Sequence, residues 1–222
     1  MRLKVNLFQF YIGSKRYIPP RKLRGYIGGK FSEHKLLHNH IEGKLAYQYP
    51  VVQYKIIDDL PTVAATGKAN KIVYEIFPKM KEVKIDGKNL PVYERRFREY
   101  NFSYGSTEEQ YKYKFMTPWL PLNQKNYKEY SSMKDFKDKK LELERILIGN
   151  ILSQAKGLSY WVDNELKVDL DFYSLDDPVY FKGVKFHGFK GTFKVNFQLP
   201  EYLGLGKSVS HGFGTIKKIV KD

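Results

Sequence analysis

The chain has 222 residues and carries 39 Lys and Arg against 24 Asp and Glu, a formal net charge of +15. Hydrophobic residues make up 42% and aromatic residues 16%, with 18 Tyr and 15 Phe, so the chain can bury a packed core and favours strands, and wholesale disorder is excluded. It has no cysteine, which excludes a disulfide scaffold, a thiolate zinc finger, an iron–sulfur cluster and a cysteine nucleophile.

Residues 2–11 alternate Leu3, Val5, Leu7 and Gln9 against Phe8 and Phe10, the pattern of a half-buried strand. A turn through Gly13, Ser14, Pro19 and Pro20 leads into a helix over 21–33, where Leu23, Tyr26, Ile27 and Phe31 recur at helical spacing behind the proline pair. Gly25, Gly28 and Gly29 weaken that helix by about 1 kcal/mol each relative to Ala and let something approach its backbone closely. Residues 46–57 read as a long strand that Pro50 breaks or confines to an edge, with 61–66 as its partner. A short helix over 68–79 ends at Pro78, and from 81 to 120 strand follows strand, with a turn at Gly105 and Ser106. Residues 123–135 are polar and read as a loop leading into an N-cap. The clearest helix covers 136–156, with Leu143, Ile146, Leu147, Asn150, Ile151 and Gln154 recurring at three and four and Gly157 closing it. Three strand-like segments, a glycine-rich stretch and a last strand over 214–221 complete the chain.

This order, rich in antiparallel signals, predicts an α+β fold of two ferredoxin-like, RRM-like units with antiparallel sheets, spanning 1–122 and 123–222. No apolar run approaches the ~20 residues of a membrane helix, and the N-terminus has no uninterrupted apolar h-region. The expectation is a cytoplasmic protein without a membrane partner. Residues 1–40 hold nine Lys and Arg and one acid, and residues 182–222 hold eight Lys and two acids. Basic charge gathered at both ends points to a nucleic-acid partner; the alternative is a lysine-rich surface that only keeps the protein dissolved.

The stretch EYLGLGKSVSHGFGTI, residues 201–216, carries the most information of any loop. Gly206, Lys207 and Ser208 end like a Walker A motif, but position 201 is Glu where that motif needs Gly, and a strand follows where it needs a helix. A dinucleotide-binding fingerprint fails at Val209. What remains is a glycine-rich hairpin whose backbone N–H groups and Lys207 suit an RNA or DNA backbone, beside the plain reading of a β-connection with turn glycines.

His34, His38 and His40 lie within seven residues. His34 and His38 at i and i+4 have the spacing of a helical zinc pair, but the chain has no cysteine, no HExxH motif and no convincing third ligand, so neither metal nor cofactor is expected. Two histidines near neutrality suffice for a metal-free reaction on RNA, which brings its own nucleophile, the 2′-hydroxyl. One group takes that proton, one protonates the departing 5′-oxygen, and a cation stabilises the charged intermediate state. His38 and His40 are the candidate pair, with Lys30 about two helical turns upstream and Tyr47 and Tyr49 opening the next strand.

The run FKGTFKVNFQLPEYLGLGKSVSHGFGTI resembles the glycine-rich loop and flanking strand of RAMP-superfamily CRISPR RNA-processing endoribonucleases: a G-x-G, a basic and hydroxyl patch, then G-F-G before the last strand. RKLRGYIGGKFSEHKLLHNHIEGKLAYQYPVVQYKII resembles the archaeal-type subgroup, with histidines just behind the first helix. The resemblance implies metal-independent cleavage of CRISPR precursor RNA at its repeats, leaving 5′-hydroxyl and 2′,3′-cyclic phosphate ends. His38 and His40 would then act as base and acid, in an order left open, supported by Lys30 and Tyr47. For RNA binding, chemistry and resemblance agree on Gly204, Gly206, Lys207, Ser208, Ser210 and His211; Arg21, Lys22 and Arg24 are added on charge alone. A CRISPR effector complex and a second copy of the chain are further candidate partners. The alternative function is a non-catalytic RNA-binding RAMP subunit of such a complex, which would need no paired acid–base groups. A metal-dependent nuclease is disfavoured by the lack of paired carboxylates at short spacing.

Overall fold

A computed structural model describes residues 1–13, 17–38, 40–41, 44–45, 48–181 and 183–220, with the backbone alone described at 40–41, 44–45, 125, 172–178 and 181. The chain forms two units: an N-terminal unit of residues 2–102 with 210–212, and a C-terminal unit of Met1, 103–209 and 213–222.

The N-terminal unit runs β1 (Arg2–Tyr11), α1 (Pro20–Lys30), β2 (His40–Ile41), β3 (Lys44–Leu45), β4 (Val52–Ile57), β5 (Leu60–Thr66), α2 (Ala69–Ile76), β6 (Glu82–Ile85), β7 (Lys88–Pro91) and β8 (Glu94–Ser103). Its four-stranded sheet has the order β4-β5-β1-β8, with β5 antiparallel to both β4 and β1. Counting its long strands in chain order gives 2-3-1-4 with a helix after the first and third, the ferredoxin-like arrangement. Pro20 starts α1, where a missing N–H costs nothing and the fixed φ suits a helix, and the helix buries Leu23, Ile27 and Gly28. Phe8 and Phe10 meet Phe77 at ring-centroid distances of 4.8 and 5.1 Å. β1 is buried on both faces from Val5 to Phe10 rather than on one.

The C-terminal unit runs β9 (Gly105–Phe115), α3 (Gln124–Ser132), α4 (Phe136–Gly157), β10 (Val168–Phe181), β11 (Val184–Gln198) and β12 (Ile216–Lys218), in a sheet of order β10-β11-β9-β12. The 2-3-1-4 order repeats, but no helix stands between the third and fourth strands. The glycine-rich loop and one turn of 3-10 helix, Val209–His211, take that place. The units change at 102/103 rather than at 122/123, because β9 pairs antiparallel with β11 and β12 and so joins the second sheet.

Two local expectations change. Residues 124–132 form a helix, not a loop: Asn123 Oδ1 accepts from Asn126 N at 2.8 Å and caps it, and Asp135 caps α4 in the same way through Lys137 N. The helix escaped the sequence pattern because it is mostly exposed and buries no apolar stripe. The three strand-like segments before the glycine loop are two long strands, β10 and β11, antiparallel throughout their pairing.

The stripe of α4 buries Leu143, Ile146, Leu147 and Ile151, and its two amides serve as anchors. Asn150 Oδ1 accepts from the indole of Trp119 at 2.9 Å; Gln154 accepts from the Tyr104 hydroxyl at 3.3 Å and donates to the Gly204 carbonyl at 3.5 Å. Trp119 in turn stacks on Phe115 at 5.2 Å. Among the described residues no helix is long and apolar enough to cross a membrane.

Two glycines here have opposite consequences. Gly214 has φ +61°, and a Cβ there would lie 2.0 Å from the Leu205 carbonyl oxygen; around a Cβ at Gly25, in α1, nothing lies within 4 Å. Gly214→Ala is expected to lower stability by about 3 kcal/mol or more, and Gly25→Ala to raise it by up to about 1 kcal/mol, read from denaturant midpoints. Lys55 on β4 is wholly buried, and burial pushes its amine down to about 7 from the ordinary 10.5. Between those values the unfolded chain binds more protons than the folded one, so stability rises with pH across that window. Lys55→Met is expected to flatten the rise, measured as urea midpoints at pH 7 and pH 9.

Candidate active site around His38

The segment after α1 does not continue as a helix. His34, with φ −94° and ψ 87°, precedes a single 3-10 turn, Lys35–Leu37, and His38 follows it. His34 and His38 therefore do not share a helix face, and the zinc-pair spacing has no structural counterpart. His34 Nε2 lies 3.7 Å from Glu33 Oε1. Among the described residues no three His, Asp or Glu side chains are placed to hold a metal ion.

His38 is held from three sides. Its ring packs on α1 at Gly28, where a Cβ would meet Cε1 at 2.4 Å and Nδ1 at 2.6 Å. His38 Nε2 bonds the Gly28 carbonyl. A carbonyl only accepts, so Nε2 carries the hydrogen and donates. One residue earlier, the Leu37 carbonyl accepts from the buried Tyr54 hydroxyl of β4 at 3.2 Å. Burial raises the Tyr54 pKa and keeps that hydroxyl a neutral donor. The His38 carbonyl accepts from Arg24 Nη2.

Arg24 extends the arrangement to the C-terminal loop. Its Nη1 lies 2.9 Å from His211 Nε2, and His211 Nδ1 lies 3.1 Å from Ser210 Oγ. A guanidinium has only hydrogens to offer, so His211 Nε2 accepts and the ring hydrogen belongs on Nδ1, facing Ser210. Gly212 permits the approach: at φ +93° its Cβ position lies 3.0 Å from Pro20 Cγ and 3.1 Å from the Tyr54 carbonyl oxygen. Arg24 is half-buried, and that burial lowers its pKa. Charge alone had suggested an RNA contact for Arg24; its guanidinium is engaged inside the unit.

The other candidates fall into distinct surroundings. Lys30, the last residue of α1, donates to the Tyr26 hydroxyl at 3.0 Å and lies 6.0 Å from the Phe31 ring centre. Arg21 is exposed, and Lys22 pairs with Asp86. His40 opens β2, and its side chain, like Tyr47 as a whole, lies outside the described residues. In the C-terminal unit Gly204 is buried and bridges Thr215, while Gly206 packs against Trp119, 2.7 Å from Nε1 to a Cβ position. The N–H groups of Leu205, Lys207 and Gly214 donate to Gly214, Leu120 and Pro118 carbonyls, so these three serve the loop's own packing rather than a phosphate cradle. The Lys207 side chain is exposed, and Ser208 is half-exposed at φ +56°.

Sequence reasoning named His38, Arg24, Ser210 and His211 without joining them, raised Gly28 only as one of three helix glycines open to close approach, and left out Tyr54. The glycine cluster in α1 was the signal for Gly28: among the described residues, of its three members only this one receives a side chain, with nothing within 4 Å of Gly25 or Gly29. Gly28→Ala is expected to displace the His38 ring. In long-range 1H–15N spectra of the imidazoles, the Nε2–H pattern of His38 should then be lost, with stability changed by no more than about 1 kcal/mol. An unchanged His38 pattern would contradict the packing described.

Two family models divide the chain where the units do: the Cas6b N-terminal domain matches residues 1–103 and the Cas6b C-terminal domain residues 105–219. A crystal structure of Cas6b superposes with a TM-score of 0.87 at 34% identity, covering 99% of this chain and 100% of that one. A second, of the CRISPR RNA-processing endoribonuclease Cas6b, gives 0.76 at 33% identity over 99% and 100%. An uncharacterized protein of Methanocaldococcus jannaschii is 50% identical over 116 residues, 52% of this chain and 78% of that protein. With both domains matched in order and nearly end to end, the chain belongs to the Cas6b family of CRISPR RNA-processing endoribonucleases.

Proposed function

We propose that this chain cuts CRISPR precursor RNA at its repeats without a metal ion, by attack of the RNA's own 2′-hydroxyl. The 2′-oxygen bonds to phosphorus as the bond to the 5′-oxygen breaks; a base takes the 2′ proton and an acid delivers one to the leaving oxygen. The products carry a 2′,3′-cyclic phosphate and a 5′-hydroxyl. His38 and His40 fill the two proton-transfer roles. Lys30 offsets charge on the phosphorane-like state, and Tyr47 donates to a phosphate oxygen.

The observation that carries this reading is the seating of His38. The ring of His38 is seated on Gly28, with Nε2–H committed to the Gly28 carbonyl, and the backbone carrying it is fixed by Arg24 at the His38 carbonyl and by Tyr54 at the Leu37 carbonyl. A histidine serving only solubility would need none of these contacts. The exposed side chains of Lys207 and Arg21, together with Lys22, Ser208, Ser210 and His211, hold the RNA backbone in this reading. The matched relatives include a protein solved as a CRISPR RNA-processing endoribonuclease, which supports repeat RNA as the substrate.

The test is cleavage of a labelled repeat RNA in EDTA, beside the same RNA with one 2′-deoxy nucleotide at the cut. Single-site cutting is expected to persist in EDTA and to vanish with the deoxy substrate. His38→Ala and His40→Ala are each expected to slow it by about 10²–10⁴-fold. Cutting that requires magnesium or survives the deoxy substitution would overturn the mechanism. Tight binding without cleavage would favour a non-catalytic RNA-binding subunit. Affinity should also fall steeply with salt, each phosphate contact contributing a slope of about −0.7 in log K against log salt. A flat salt dependence would make the +15 charge incidental to RNA binding.

A further inference from the structure

A cavity of about 810 Å³ opens in the C-terminal unit, where the start of α3, the start of β11 and the glycine-rich loop come together. Three aromatic rings, of Tyr127, Phe186 and His187, are among its lining. The rings of Tyr127 and His187 lie 5.1 Å apart at 36°, and Phe186 presents its ring to Lys207 Nζ at 5.8 Å. Among the described residues, two lysines, Lys185 and Lys207, line the cavity and no carboxylate does. Lys207 and Asn123 also line a second cavity, of about 300 Å³, that contains Arg145. Lys207 thus lines two adjoining cavities.

Flat π-faces beside cations, with no acidic group among the described lining residues, complement a planar base attached to a polyanion. The larger volume lies within the ~300–1,000 Å³ typical of small-ligand sites, ample for one base. We propose that this cavity is a subsite for one unpaired nucleobase of the bound RNA, stacked on the Tyr127, Phe186 and His187 faces, with Lys207 on the adjoining phosphate. The inference rests on the RNA-binding reading above and adds the place where a base, rather than the backbone, is held. Backbone contacts alone would leave affinity indifferent to whether bases are present; this subsite would not.

The probes are two fluorescein-labelled single-stranded RNA decamers, one of adenosines and one with the same ribose-phosphate backbone lacking every base. The wild-type chain is expected to bind the adenosine decamer about five- to a hundredfold more tightly than the abasic one, the range that stacking of one base supplies. Tyr127→Ala and Phe186→Ala should each remove most of that preference while leaving the abasic affinity unchanged. Tyr127→Phe, which keeps the ring, should retain it. Lys207→Ala should weaken both decamers alike. Equal wild-type affinity for the two decamers, or a preference untouched by Tyr127→Ala and Phe186→Ala, would overturn the subsite while RNA binding stands. If neither decamer nor a repeat RNA binds, the RNA-binding reading fails and the subsite with it.

Discussion

The N-terminal site depends on one half-buried cation. Arg24 projects from α1 with a planar set of donors, and burial makes its charge costly unless those donors meet acceptors. The His38 carbonyl and His211 Nε2 accept from its two Nη groups, while its buried Nε has no hydrogen-bond partner among the described residues. Satisfying them has consequences beyond charge compensation. It fixes the backbone at His38, leaves the hydrogen of the His211 ring on the nitrogen facing Ser210, and requires residues 210–212 to fold with the N-terminal unit. The ring of His38 is then settled by what α1 lacks at Gly28, a side chain, and by the carbonyl that position exposes. A helix is a rigid surface, so a ring seated on its backbone inherits that rigidity, which an acid–base group needs more than a merely solvated histidine does.

The C-terminal unit shows a different use of glycine. Where the N-terminal repeat of the strand order has α2, this one has a loop whose backbone packs against backbone: Gly214 against Leu205, and Gly204 against the Phe213 carbonyl. Close packing of this kind needs missing side chains, with positive φ at Gly214, and the N–H groups of Leu205, Lys207 and Gly214 are taken up by the Gly214, Leu120 and Pro118 carbonyls. The loop is thereby a stiff mount. Lys207 projects an exposed side chain from this mount.

Much of the architecture was legible in the residues. The period of α4, the alternation in β9 and the proline start of α1 are local signals, and each element formed within a few residues of its expected bounds. Even Asn150 and Gln154, polar residues on an apolar stripe, were visible as members of the buried face before their partners were known. The elements that misled were those whose stability is not written in an apolar period. Exposed α3 rests on its cap, the turn at 35–37 breaks a plausible helical spacing, and β9 looks like a continuation of the strands before it until its pairing with β11 assigns it elsewhere.

The sequence by itself determined the class of fold, the net basic charge and the absence of thiol chemistry. These follow from composition and from spacings of a few residues, which act through local geometry. Only the tertiary structure decided which of those residues meet. The contact between Arg24 and His211 spans 187 positions, and that between Tyr54 and Leu37 joins a strand to a turn. Such pairings arise because two remote backbones are brought within hydrogen-bond reach by the packing of everything between them, and no window along the chain contains that information.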